Sequence, residues 1–316
     1  MPVAHSDLPA ALKTAHAALF ERSFAAAASH SGWRDVATVT TLADNDRQTY
    51  HWFGTPPNFV DVDSDEVPFD GLNKFALTII DKLWKNGLQI ARRALEDDKL
   101  GLLSPRIQQM ATAAEYFIGN RVLAQLNGSP TAYDGTALFA DTRVIGSSAN
   151  IDNSTTSAAA AAAVPTIGEL QAVIGTVRGT MAAFQDDRGR VRNQTPDTII
   201  YPSTHEQTLF QALNGASTPG SVNLVTPAGQ GNLTEMNGYR LLRNPASDNA
   251  AEWFFAHTQD VVSPLIMQER LRPTLEAQTS AMSDSAIEED AFRYTVRMRF
   301  EAGVGEPRHI IRHTFT

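Results

Sequence analysis

The sequence predicts an α+β protein organised around one long helix, and three observations carry that prediction. Apolar residues recur at helical spacing from Leu103 to Leu126, apolar and basic residues alternate from Phe292 to Phe300, and strand, helix and strand signals follow one another between them. With 316 residues, 42% of them hydrophobic, the chain is long enough to bury a sizeable core in one large domain or two moderate ones.

The first thirty residues are alanine-rich and place Leu8, Leu12, Ala15, Leu19 and Phe24 on roughly one helical face, with Asp7 as a cap. This predicts a short amphipathic arm with too little apolar bulk to form a core of its own. From Gln48 to Gly54 the aromatics Tyr50, Trp52 and Phe53 favour a strand, which Pro56 and Pro57 stop. An irregular stretch of prolines and acids runs on to Gly71, alternation resumes at Phe75, Leu77 and Ile79, and Asn86-Gly87 supplies a tight hairpin turn. Residues 47–93 thus read as an extended β excursion with little core beneath it.

Ser104 as N-cap, Pro105 at the first helical position and Asn127-Gly128 as the stop frame the long helix, a rod of roughly 36 Å at 1.5 Å per residue. The small-residue segment 146–163 reads as a flexible loop or linker. Thr166 with Glu169, and Ser203 with Glu206, have the capping-box spacing ahead of two further helices. Strands are predicted at 222–226, 239–243 and 252–258 and over 290–301, the last with one apolar and one basic face. No internal repeat is seen.

Thirty-five acidic against 26 basic side chains give a net charge of -9, which argues against a surface built to grip nucleic-acid phosphates. There is no cysteine, hence no disulfide and no thiolate metal site. The N-terminus lacks the pattern of a signal peptide and no stretch approaches about 18 apolar residues, so a soluble intracellular product is expected. Local signals for chemistry are incomplete. His205-Glu206 begins a metalloprotease pattern but Leu209 stands where the second histidine belongs, leaving an exposed first-turn histidine beside a capping glutamate. Asp61, Asp63 and Asp65 copy the first ligands of a calcium loop, but Glu66 replaces the required glycine and Leu72 the bidentate glutamate, so a solvated acidic tip is expected. Gly229-Gln230-Gly231 begins a dinucleotide fingerprint without the third glycine, and neither a nucleophile elbow nor a Walker loop is present. No enzyme activity, cofactor or metal is expected.

Several segments, in order, resemble the major head protein of Mu-like tailed phages, a family with the Hong Kong 97 type capsid fold. They are TYHWFG at 49–54, LEDDKLGLLSPRIQQMATAAE at 95–115, YDGTALFADTR at 133–143, PDTIIYPSTHEQTLFQAL at 196–213 and SPLIMQERLRPTLEAQ at 263–278. Segment 146–163 and the tail GEPRHIIRHTFT have no counterpart in the resemblance.

The resemblance implies an N-terminal arm at 1–45 that reaches over a neighbouring subunit and an extended E-loop at 46–95. It further implies a peripheral domain at 96–164 and 286–316 with its spine helix at 102–127, and an axial domain at 165–285. It implies a major capsid protein that self-assembles into an icosahedral head around double-stranded DNA, located in the virion after synthesis in the bacterial cytoplasm. Implied partners are other copies in hexamers and pentamers, a portal, a separate scaffold and a decoration protein, with only non-specific contact to packaged DNA and none to a membrane. On the E-loop, Tyr50, Trp52, Phe53, Phe59, Asp61, Asp63, Asp65 and Phe69 are expected to contact other subunits. A covalent crosslink through Lys74, Lys82 or Lys85 has no support in the residues themselves. The other structural reading, a tail-tube or ring-forming β protein, has no evident use for the long helix.

Overall fold

The computed structural model describes residues 8–42, 47–55, 74–91, 103–214, 235–236, 238–247, 249–279 and 289–316. Its strands are β1 (Ala37–Thr41), β2 (Arg47–Phe53), β3 (Lys74–Ile80), β4 (Lys82–Ala91), β5 (Ser154–Ser157), β6 (Thr198–Pro202), β7 (Glu235–Met236), β8 (Tyr239–Asn244), β9 (Glu252–Ala256), β10 (Leu265–Gln278), β11 (Ala291–Val304) and β12 (Ile310–Phe315). The helices are α1 (Leu8–Ala28), α2 (Trp33–Val36), α3 (Leu103–Gly128), α4 (Ile167–Ala182) and α5 (Glu206–Asn214). The strands form a four-stranded sheet in the order β1-β10-β11-β4, a six-stranded sheet in the order β5-β12-β9-β6-β8-β7, and the separate ribbon β2-β3.

β11 owes its position to its alternation. Phe292, Tyr294, Val296, Met298 and Phe300 are buried while the arginines between them face the other way. Onto that apolar face packs α3, whose 26 residues span roughly 39 Å and bury Ile107, Ala111, Ile118, Val122 and Leu126. α1 lies along α3 of its own chain. Its buried residues are His16, Phe20 and Phe24, spaced by four; of the expected row Phe24 is buried and Leu19 packs on the same core, while Ala15 is exposed. The two phenylalanines decide the matter, because each fully buried ring contributes roughly 2–3 kcal/mol and an alanine far less.

The six-stranded sheet is the wall between two cores. On β9, Trp253 and Phe255 face a core formed with α4 and α5, while Phe254 and Ala256 face the core of α3 and the four-stranded sheet. Ile199 and Ile200 on β6, and Ile311 and Ile310 on β12, divide in the same way. A strand covered on both faces has no polar side to show, which is why WFFA and TIIY are continuous apolar runs.

Several expectations change. Asn86-Gly87 makes no turn: β4 runs straight through it, with Asn86 opposite Val296 and Gly87 opposite Thr295, because β11 supplies the ladder that a hairpin partner would have supplied. Segment 146–163 is ordered in its middle, where β5 pairs in parallel with β12 and the fully buried Asn153 amide donates to the carbonyls of Leu138, Pro307 and Ile310. The Thr166–Glu169 box forms as expected, but Ser203 opens a short 3-10 turn without a side-chain cap, and Glu206 instead pairs with Arg243. The sheets also cut across the sequence division at 164 and 285, since β5 and β12 join the six-stranded sheet and β10 the four-stranded one. The strand expected at 222–226 and the Gly229-Gln230-Gly231 loop lie outside the described residues.

Candidate assembly surface

A two-stranded ribbon is marginal alone in water, so β2-β3 must be held by something else. Its register, Tyr50 opposite Leu77 and Trp52 opposite Phe75, gathers those four side chains on one face and leaves Thr49, His51 and Thr78 on the other. The first face is seated on the subunit. Ile79 lies directly over Gly303 of β11, where an added Cβ would stand 2.5 Å from Ile79 Cδ1, so the contact depends on the missing side chain. The Tyr50 hydroxyl donates to Gln268 Oε1 at 3.3 Å. Trp52 stacks on Tyr133 with ring centroids 5.0 Å apart and planes at 20°, and Phe75 meets the same ring at 5.4 Å.

Tyr133 is fixed from behind. Its hydroxyl donates to both carboxylate oxygens of Glu306 at 3.0 Å, and Arg308 holds Glu306 from Nε at 2.7 Å and Nη2 at 2.9 Å. Burial works to raise the Glu306 carboxyl, but the Arg308 guanidinium overrides it and lowers the group to about 2. Burial, then the Glu306 charge, pushes the Tyr133 phenol up. The phenol is thus a fixed donor and the carboxylate a fixed acceptor in a largely buried arrangement, where loss of either partner is costly.

The end of the ribbon is clamped as well. Thr55 donates its backbone N–H to Asp187 Oδ1 at 2.9 Å and accepts from Arg188 Nε at 2.9 Å. Asp187 and Arg188 sit in a turn closed by the Gln185–Val191 bridge. Beside this clamp a cleft of about 420 Å³ opens, lined by Trp52, Phe75, Tyr133, Asp260, Glu306 and His309 among others. Its charged groups answer one another: Arg192 pairs with Asp260 at 2.6 Å, and burial lowers His309, which sits 3.4 Å from the same carboxylate. Among the described residues no three His, Asp or Glu side chains are placed to hold one metal ion.

The structure therefore turns Tyr50 and Trp52 onto their own chain. Phe53 closes β2 opposite Lys74, with its side chain outside the described residues, and Phe59, Asp61, Asp63, Asp65 and Phe69 also lie outside them. His205 is not an exposed first-turn residue: it is 5% exposed and stacks on Trp253 at 6.0 Å, which makes it part of the core. Sequence reasoning passed over Asp187 and Arg188, whose signal there was only that of a helix end, and Glu306 and Arg308, which lie in the unmatched tail.

Residues 78–313 match the family model described as phage capsid protein. A Haemophilus influenzae protein described as the Mu-like prophage FluMu major head subunit is 33% identical over 126 residues, 39% of this chain and 39% of that one. The match thus spans well under half of that relative's length. Among solved structures, the procapsid of bacteriophage JBD30 is 21% identical and covers 97% of this chain and 76% of its own, with a TM-score of 0.53. The capsid of cyanophage P-SCSP1u is 12% identical, covers 90% and 88%, and has a TM-score of 0.61. These two likenesses establish the fold.

Proposed function

The chain belongs to the phage capsid protein family, and we propose that it is the major capsid protein of a tailed phage, whose copies close into the icosahedral head around double-stranded DNA. The observation that carries this reading is the seated ribbon: two strands that pair only with each other among the described residues, clamped at Thr55 and joined by an 18-residue segment, 56–73, rich in acids and prolines. A closed shell needs heterologous contacts repeated under symmetry. An extended element fixed at its root and offered to a neighbour supplies such a contact, and backbone pairing along a strand edge tolerates small changes of angle between hexamers and pentamers. On this reading the four-stranded sheet with α1 and α3 is the peripheral domain and the six-stranded sheet with α4 and α5 the axial domain.

The portal, a separate scaffold and a decoration protein are the further partners this reading proposes, with assembly beginning in the bacterial cytoplasm. The net charge of -9 keeps packaged DNA from adhering if the acids face inward. The chain is assigned no reaction, which accords with titratable groups at the seat that are spent on one another. Negative-stain microscopy of the purified protein, with and without a co-expressed scaffold, tests the proposal. Shells, or hexamers and pentamers, are expected; uniform tubes, or discrete oligomers of any other order alone, would overturn it.

A further inference from the structure

The cleft beside the Thr55 clamp is built from two bodies. Trp52 and Phe75 of the ribbon stand on one side of it, and Tyr133, Ile145 and Val262 of the subunit beneath stand on the other. Its volume of about 420 Å³ falls within the roughly 300–1,000 Å³ of clefts that hold small organic molecules. Aromatic and aliphatic walls suit an apolar body. The polar groups decide what that body carries. Glu306 is paired with Arg308 and Asp260 with Arg192, while Asp187 accepts the Thr55 N–H. A charged ligand would have to compete with these pairs, and an uncharged one would not. Two donors lack any such partner. The indole Nε1 of Trp52 and Nη1 of Arg308 are both buried, and neither meets an acceptor among the described residues. Arg308 is only 8% exposed and turns Nε and Nη2 to Glu306, so Nη1 is the one end of the guanidinium left over. Buried donors without an acceptor are rare enough in folded proteins that two on one cleft call for a cause.

We propose that this cleft is a binding site for a small, uncharged, largely apolar molecule that carries a carbonyl oxygen, with the apolar part between Trp52, Phe75 and Val262 and the oxygen directed to the unpaired donors of Trp52 and Arg308. A carbonyl oxygen has two lone pairs and no proton, which matches two donors and leaves the neighbouring ion pairs intact. Neither nitrogen is open to solvent, so the ring of the partly buried Trp52 turns slightly as the oxygen enters. The two donors come one from each body. An occupant therefore bridges the ribbon and the subunit beneath it, and holds the ribbon down more firmly than the Trp52–Tyr133 stack does alone. The site lies within a single subunit, so the inference stands apart from what the copies assemble into.

Hydrogen exchange of the unassembled full chain tests this with three probes. Acetophenone, benzoate and benzamidinium share one frame of non-hydrogen atoms and differ in carrying a neutral carbonyl, a negative carboxylate or a positive amidinium without an acceptor. A neutral fragment of this size is expected to bind with a Kd on the order of 1 mM. At roughly 10 mM acetophenone the amides of Thr49 to Trp52 are therefore expected to exchange about tenfold more slowly, by one plus the ratio of ligand concentration to Kd, while amides of α4 keep their rates. Benzoate and benzamidinium at the same concentration are expected to change those rates by less than about twofold. Trp52→Phe, which keeps an aromatic ring and removes the N–H, and Arg308→Lys, which keeps the charge and removes Nη1, are each expected to weaken acetophenone at least about threefold, read as the ratio of rates with and without it. If Arg308→Lys does not fold, Trp52→Phe and the three probes still decide. No slowing by acetophenone, equal slowing by either charged probe, equal slowing along the whole chain, or undiminished binding by Trp52→Phe would each overturn the proposal.

Discussion

The indole N–H of Trp33 donates to Oε1 of Glu115 at 2.9 Å, tying the segment after the N-terminal helix to the middle of the long helix α3. The same carboxylate accepts from Ser31 Oγ at 2.6 Å and from Arg34 Nη2 at 3.0 Å, and Arg34 Nη1 makes a further short contact. Burial opposes ionisation of Glu115, but the bonds from Arg34, Ser31 and Trp33 outweigh it and hold the group below the ordinary glutamate range. Removing Glu115 leaves the Trp33 N–H buried without an acceptor and takes the ion pair from Arg34, which keeps bonds to Ala28 O and Ser31 Oγ. Glu115→Ala is expected to destabilise the subunit by about 1–3 kcal/mol, and Glu115→Gln by less because it keeps an acceptor. Urea unfolding of the unassembled subunit measures both, and a loss below 1 kcal/mol for Glu115→Ala would contradict the account.

One helical turn further on, Gly119 admits the edge of Trp33. A Cβ at that position would stand 2.8 Å from Trp33 Cδ1, and Trp33 is only 3% exposed, so the ring has little room to yield. Gly119→Ala removes a helix-disfavouring glycine, worth up to about 1 kcal/mol, but over-packs the site at a typical 1–3 kcal/mol. A net loss is therefore expected by the same unfolding measurement, and a variant as stable as wild type would show that the Trp33 ring can yield.

Trp52→Ala separates the ribbon from the subunit beneath it. The stack on Tyr133 is lost, but both cores persist, so the effect is local opening rather than global unfolding. Amides of Thr49 to Trp52 are expected to exchange hydrogen at least about tenfold faster, with a melting temperature within a few degrees of wild type. Unchanged exchange would show that the Thr55 clamp and Ile79 hold the ribbon unaided.

Replacing residues 56–73 by a short Gly-Asn turn leaves the seated part of the ribbon intact. The unassembled subunit is expected to keep its far-ultraviolet circular dichroism and melting temperature but to form no stable closed particles. Particles of normal heat resistance from this deletion would remove the segment from assembly.

The long helix, β11 and the capping box at Thr166 were legible because each is a local pattern with a local cause: period 3.6, period 2, and a side chain reaching three residues along. β10 was not legible as a strand. Its sequence LIMQERLRPTLEAQ places Pro273 and a run of charges in the middle, and the register shifts between Glu269 and Thr274 are where the ladder absorbs them. The false turn at Asn86-Gly87 has the opposite origin, a strong local turn signal overruled by a partner more than 200 residues away. The seat itself joins residues near 52, 75, 133, 187 and 306, and nothing in their spacing along the chain announces that they meet.

The C-terminal strand carries a pH dependence that can be signed. His313 is 4% exposed on β12, with Nδ1 3.0 Å from Thr155 Oγ1 and Nε2 2.9 Å from Ser157 Oγ, so the ring bridges to β5, which pairs in parallel with β12. Burial lowers its pKa from 6.5 to about 4. A histidine harder to protonate when folded favours the folded state fully above the unfolded pKa, and that contribution drains away as the pH falls from 6.5 towards 4. The difference corresponds to roughly 3 kcal/mol at 1.36 kcal/mol per pKa unit. His309 and His16, both also lowered by burial, act in the same direction. Urea unfolding of the unassembled subunit at pH 7.5, 6, 5 and 4.5 is therefore expected to show stability falling steadily below about pH 6.5. His313→Gln, which keeps a donor and an acceptor but cannot titrate in this range, is expected to be less stable than wild type at pH 7.5 and to lose less on acidification. A variant with the same pH slope as wild type would place the acid sensitivity elsewhere, with His309 the next residue to substitute.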